Sequence, residues 1–272
     1  MLRRIALCAT ILAGAALAPA PAQAQIMGNY AFKPPAKVQE EMEKDRVPAL
    51  FFFTMEYDAP AQSISWNFTQ PQIIDMLNRY NFAACKIAIA DQKSTRPWGS
   101  YQKLADEFGV TPATTLVVVS YDRKVLGLLS QVLKRDEFIV YLRQRGQENK
   151  ARIEASDQAN NDCTQIEEWL EHKPPKLADA NRRLISVLKK EKAIAAKVFE
   201  RAKEIDGKLE AACNERMSEA KALLEGGKPA EAKPILDDVV NGATRFADCL
   251  KEAKELHKKA ASAKPTAGTR KG

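Results

Sequence analysis

Thiol chemistry is the first possibility that the side chains of this sequence raise. There are five cysteines, at positions 8, 85, 163, 213 and 249. A thiolate able to attack a disulfide is made by a Cys-x-x-Cys pair, or by a helix start or cation that lowers the thiol pKa. No two of these cysteines have that spacing, and none stands beside a helix-start signal. Cys85 sits inside an apolar run and reads as a buried, inert thiol. Cys213 and Cys249 flank a Gly226-Gly227 turn and form a candidate structural disulfide. Such a bond would contribute roughly 3–4 kcal/mol by closing its loop. Cys163 with Cys213 or with Cys249 is the competing pair, because connectivity is not readable from spacing. The functional alternative is a redox pair relocated to these positions. The two histidines, His172 and His257, have no ligand-like spacing to Cys, Asp or Glu, so no metal site is expected. Glu56 and Asp58 lie close enough for acid–base work, against the simpler reading of a solvent-facing or helix-capping pair. There is no phosphate loop, no H-E-x-x-H and no local Ser-His-Asp grouping, and no cofactor is expected.

The ends of the chain set its compartment and its class. Arg3 and Arg4 precede an apolar stretch at 5–17, and Ala22-Gln23-Ala24 fits a small-x-small cleavage pattern. Residues 1–24 therefore read as a signal peptide. The chain is expected to be exported, periplasmic or extracellular, with no integral membrane span. The formal net charge is +7, but cations and anions are interleaved and no aromatic-studded basic groove is evident. A nucleic-acid role is not expected. Residues 263–272 read as a disordered tail.

Between these ends the pattern changes once. Residues 30–145 alternate helical and strand-like segments. A polar helix at 35–45 is followed by the apolar run Val47 to Phe53, which suits a strand buried on both faces. An irregular stretch then leads to a helix at 70–80, with Thr69 as its N-cap and Pro71 in its first turn. A strand at 82–91, a helix at 101–108 ended by Gly109, a strand up to Val119, a turn at 121–124, a strand at 125–129 and a helix at 136–142 complete this part. Asn67-Phe68-Thr69 reads as a surface turn.

Two segments carry a family resemblance. Ala49-Leu50-Phe51-Phe52-Phe53-Thr54-Met55-Glu56-Tyr57-Asp58-Ala59-Pro60-Ala61 resembles the first core strand and active-site turn of the thioredoxins, whose turn reads Cys-Gly-Pro-Cys. Here Asp58-Ala59-Pro60-Ala61 keeps the proline and has neither sulfur. Val110-Thr111-Pro112-Ala113-Thr114-Thr115-Leu116-Val117-Val118-Val119 resembles the segment that holds the family's cis-proline, with Thr114 at the proline position. A cis bond before a non-proline costs about 3 kcal/mol, so a trans bond is expected there; a slip that makes Pro112 the cis residue is the alternative. The resemblance implies an α/β thioredoxin-like domain, with a parallel-to-antiparallel central sheet flanked by helices. It also implies a surface for extended peptides at the former active-site turn and the cis-proline loop, formed by Tyr57, Asp58, Pro60, Ala61, Ala113 and Thr114.

From Gly146 onward the pattern is all helical. Residues 146–262 offer helices at 147–160, 164–171, 178–222 with breaks, 230–240 and 244–261, interrupted by Lys173-Pro174-Pro175-Lys176 and Gly226-Gly227-Lys228-Pro229. Met217 to Leu236 resembles one tetratricopeptide-type hairpin, although any antiparallel αα-hairpin fits as well. This helical region could pack on itself, on the first domain or on a second copy of the chain. The expectation is a non-catalytic thioredoxin-like module that binds a protein or peptide or serves as a scaffold. The alternatives are a thiol–disulfide oxidoreductase using cysteines outside the turn, and a purely structural envelope protein.

Overall fold

The computed structural model describes residues 30–55, 58–89 and 94–262. The expected signal peptide and tail, and with them Cys8, Glu56, Tyr57 and Asp91, lie outside the described residues.

Helix α1 (Pro35–Asp45) leads into strand β1 (Ala49–Thr54). Then come α2 (Ala59–Asn67), α3 (Pro71–Arg79), β2 (Ala83–Ala88), α4 (Gln102–Glu107), β3 (Thr115–Val119), β4 (Val125–Leu129) and α5 (Arg135–Glu171). The four strands form one sheet in the order β2-β1-β3-β4. β1 and β2 are parallel, whereas β3 runs antiparallel to both β1 and β4. This is the mixed sheet flanked by helices that the resemblance implies.

β1 is the centre of the sheet, and its six residues are all buried. Successive side chains of a strand point to opposite faces. Leu50 and Phe52 therefore pack with Ile64, Phe68, Ile73, Leu77, Leu116 and Phe138 on one side. Phe51 and Phe53 pack with Val38, Met42, Trp98, Leu104 and Phe108 on the other. Helices α2, α3 and α5 supply the first layer, and α1 and α4 the second. Gly109 follows α4 at φ 68°, the left-handed backbone that a helix stop commonly uses.

Several local expectations are corrected. The stretch after the turn is helical, not irregular. Asp58 caps α2, Pro60 occupies its first turn, and Ala61, Ile64 and Phe68 recur at helical spacing on its buried side. Gln70, not Thr69, holds the N-cap position of α3; the Thr69 hydroxyl donates instead to the Trp66 carbonyl at 2.8 Å. Asn67 is buried rather than on a surface turn, and its amide donates to the Leu133 carbonyl at 3.4 Å.

The largest correction concerns α5. The helices expected at 136–142, 147–160 and 164–171 are one helix of 37 residues, about 55 Å long at 1.5 Å per residue. The boundary expected at 145/146 falls inside it. At Gly146, inside the helix, a neighbouring side chain occupies the space that a larger residue would fill. A Cβ there would lie 2.4 Å from the Tyr80 ring and 2.9 Å from the Tyr80 Cβ. The first part of α5 packs on the sheet and α3, and the second on α6 (Leu177–Leu188) and α7 (Ala196–Glu225). α8 (Pro229–Gly242) and α9 (Ala247–Ser262) complete the helical unit around an Ala-, Leu- and Ile-rich core. The prolines at 174 and 175 fall between α5 and α6, and Gly227 turns the chain into α8 at φ 71°. Among the described residues no helix is long and apolar enough to cross a membrane.

The substitution Gly146→Ala is expected to destabilise the protein by about 1–3 kcal/mol, through overlap with the Tyr80 ring. Urea unfolding checks this, and the double variant with Tyr80→Ala should show less than the summed loss.

Candidate functional site

β1 and β3 run in opposite directions, so the end of β1 and the start of β3 meet at one end of the sheet, with Phe53 opposite Thr115. Just beyond them, three of the six surface residues expected from sequence lie together. The Asp58 Oδ1 accepts the Ala61 N–H at 2.6 Å, which caps α2. The Thr114 hydroxyl donates to the Asp58 Oδ2 at 2.7 Å. The same hydroxyl oxygen accepts the Met55 N–H at 3.0 Å. One carboxylate and one buried hydroxyl thus tie together the end of β1, the start of α2 and the start of β3. The peptide bonds before Pro112 and Thr114 are both trans. Pro60 is the second residue of α2, and Ala113 donates a γ-turn-like N–H to the Thr111 carbonyl at 2.7 Å. Ala61 is buried, so it supports the turn and does not line a surface. Tyr57 lies outside the described residues.

Each Asp58 oxygen accepts one hydrogen bond, from Ala61 and from Thr114, which is the helix-capping arrangement that the simpler reading of this carboxylate expects. Thr115 faces Ser130, with the two hydroxyl oxygens 3.4 Å apart, which holds the start of β3 to the end of β4.

A cleft opens beside this turn, between the outer side of α2 and the segment leading into α5. It has a volume of about 770 Å³, and its walls include Gln62, Trp66, Gln70, Val132 and Lys134. Trp66 is 67 % exposed and Val132 50 %. The sequence reading missed both. For Trp66 the signal was the periodicity of α2 itself. With Ala61, Ile64 and Phe68 on the buried side, a tryptophan at 66 must point outward. An exposed residue of that size is the informative kind of surface position.

The four cysteines expected to remain after processing are all distant from the turn or sealed in cores. Cys85 lies on β2 opposite Phe51, among the aromatic residues of the sheet. Cys163, Cys213 and Cys249 belong to the core of the helical unit. All four are buried free thiols. The expected Cys213–Cys249 bond is therefore not formed, and the two residues are accommodated as small apolar side chains. Burial pushes the Cys85 thiol up to about 12. Burial, aided by the neighbouring Cys249, takes Cys213 to about 12 as well. Cys163 and Cys249 are raised by the same cause. Among the described residues no three His, Cys, Asp or Glu side chains converge as metal ligands.

No protein-family model and no curated protein matches the chain. Among solved structures, the chain is similar to one described as DsbH oxidoreductase. The two share 13 % identity and a TM-score of 0.38, over 44 % of this chain and 86 % of that one.

The substitution Thr114→Val leaves a carboxylate oxygen and the Met55 N–H without their partner. It should cost about 1–3 kcal/mol in urea unfolding, while Thr114→Ser, which keeps the hydroxyl, should recover most of the loss.

Proposed function

We propose that the first unit is a thioredoxin-like domain that has exchanged redox chemistry for docking, in a protein exported by its N-terminal signal. The observation that carries this reading is the way the turn is held. Where thioredoxins place two sulfurs, this chain has Asp58 and Ala61, joined by a side-chain–backbone hydrogen bond and fastened to Thr114. Thiol–disulfide exchange requires a thiolate within reach of a partner disulfide. An aspartate whose oxygens are engaged in holding the backbone cannot substitute for one.

The adjoining cleft supports a binding role. It combines exposed apolar groups, Trp66 and Val132, with amides at Gln62 and Gln70 that can meet an extended main chain. Exposed aromatic residues of this kind are common anchors in protein recognition. The occupant that fits is a segment of protein in extended form, with an apolar side chain to cover Trp66. Under this reading the helical unit is a scaffold. It is attached at the opposite end of the sheet and leaves the turn uncovered.

The oxidoreductase reading is tested directly through the thiols. A thiol whose pKa is raised stays protonated at neutral pH, and its thiolate fraction grows only as pH rises toward that value. The processed chain is expected to show no rapidly titrating thiol in the native state at pH 8, and four after unfolding in denaturant. It is also expected to give no catalysed reduction of insulin. A fast native thiol together with insulin turnover would overturn the proposal. The docking role is tested by capture from the exported fraction. Partners held by the wild type should be lost from Trp66→Ala, while the thermal midpoint of that variant stays within a few degrees of the wild type. Retention of the same partners by the variant would refute the site.

A further inference from the structure

The end of the sheet opposite the turn carries a second polar cluster that the docking role does not use. Its centre is Arg152, about midway along α5. The guanidinium makes a two-pronged contact with Asp122, Nε to Oδ1 and Nη2 to Oδ2, both at 2.7 Å. The remaining nitrogen, Nη1, donates to the Lys192 carbonyl at 3.0 Å. The side chains of Arg152 and Asp122 are only 9 % and 13 % exposed. Asp122 lies in the turn between β3 and β4, where the Ser120 hydroxyl also donates to it at 2.6 Å. Lys192 lies in the connection between α6 and α7. The partners of Arg152 thus belong to different units of the protein.

Two more contacts fasten the same connection. The Lys124 ammonium donates to the Lys192 carbonyl at 2.6 Å, across from the sheet unit. The Ala195 N–H donates to the Ser156 hydroxyl at 2.9 Å, and that hydroxyl donates to the Arg152 carbonyl at 2.7 Å. On the other side of Arg152, the Asn149 side chain accepts the Tyr121 N–H at 2.8 Å and donates to the Arg46 carbonyl at 3.3 Å.

We infer that Arg152 is a clamp that joins the sheet unit and the helical unit into one cooperative body, by holding the β3–β4 turn and the α6–α7 connection on a single guanidinium. The physical reason lies in the burial of its charge. A guanidinium withdrawn from water needs all its donors engaged and a counter-charge in contact. Here the counter-charge comes from one unit and the third acceptor from the other. Separation of the units breaks the bond to the Lys192 carbonyl and opens the Arg152–Asp122 pair, so the contacts that oppose parting converge on this residue. The planar fork of arginine meets both groups at once, which a lysine cannot do.

The shared helix α5 is the rival source of coupling, and the two are distinguishable. Cys85 reports on the sheet unit and Cys213 on the helical unit, since each becomes reactive only when its own core opens. Pulsed alkylation of the full chain across a urea series, with mass mapping, gives the midpoint for each. In the wild type the two midpoints should coincide. In Arg152→Gln they should separate by about 1 M urea or more, a shift readily resolved with the slopes of small domains. Asp122→Asn, which keeps the shape and removes the counter-charge, should give the same split and serves if the arginine variant does not fold. Midpoints that fall together in both variants would assign the coupling to α5 and overturn the inference. Midpoints already separate in the wild type would do so as well.

Discussion

The whole arrangement depends on the burial of β1 on both faces. Four consecutive large side chains, Leu50 to Phe53, alternate between two apolar layers, and neither layer can form unless helices cover both sides of the sheet. Once β1 is central, β2 and β3 flank it in opposite senses, and the positions of the two ends of the sheet follow. The end of β1 and the start of β3 are brought together, and Asp58 and Thr114 meet there. The β3–β4 turn is sent to the far end, where Arg152 receives it. The proposed docking surface and the junction between units are thus separated by the length of the strands.

Each end is fastened by a polar device of a different kind. At the turn, one carboxylate and one hydroxyl satisfy backbone donors that a strand end and a helix start would otherwise leave open. This is local and partly exposed, and its contribution is that of ordinary capping and hydrogen bonding. At the junction the charges are nearly sealed from water, and the contact spans three segments distant in sequence. For a buried pair of this sort the desolvation cost offsets much of the attraction, whereas removal of one partner leaves an uncompensated buried charge. The depressed pKa of Asp122 comes from Arg152 and Ser120, which outweigh the effect of burial. Its contribution is complete above the ordinary aspartate range and is lost as pH falls through the depressed folded value.

Much of the sheet was legible in the residues. The apolar runs at 47–53 and 115–119, the glycine stop at 109 and the turn at 121–124 correspond to elements of the structure, within one or two residues at their ends. The site was legible only in part. Asp58 could be read as a helix cap because α2 begins beside it, and Thr114 could be aligned with a known loop. Trp66 was not singled out, since the helix that turns it outward was read as irregular. The boundary at 145/146 follows a change of pattern along the chain; that α5 crosses it, with the Tyr80 ring filling the space beside Gly146, is a result of packing that the local pattern does not carry.

The sequence by itself determined that no cysteine stands in the turn, that a buried strand precedes it, and that the second half is helical. These follow from residue identity and periodicity, which act over a few neighbours. The tertiary structure decided the rest: that Asp58 meets Thr114, that α5 runs unbroken through both units, that Cys213 and Cys249 remain thiols, and that Arg152 finds partners 30 and 40 positions away. Such contacts arise from the packing of layers and from the need to satisfy buried polar groups. That need is met in space, by whichever segment the fold delivers, and spacing along the chain does not encode it.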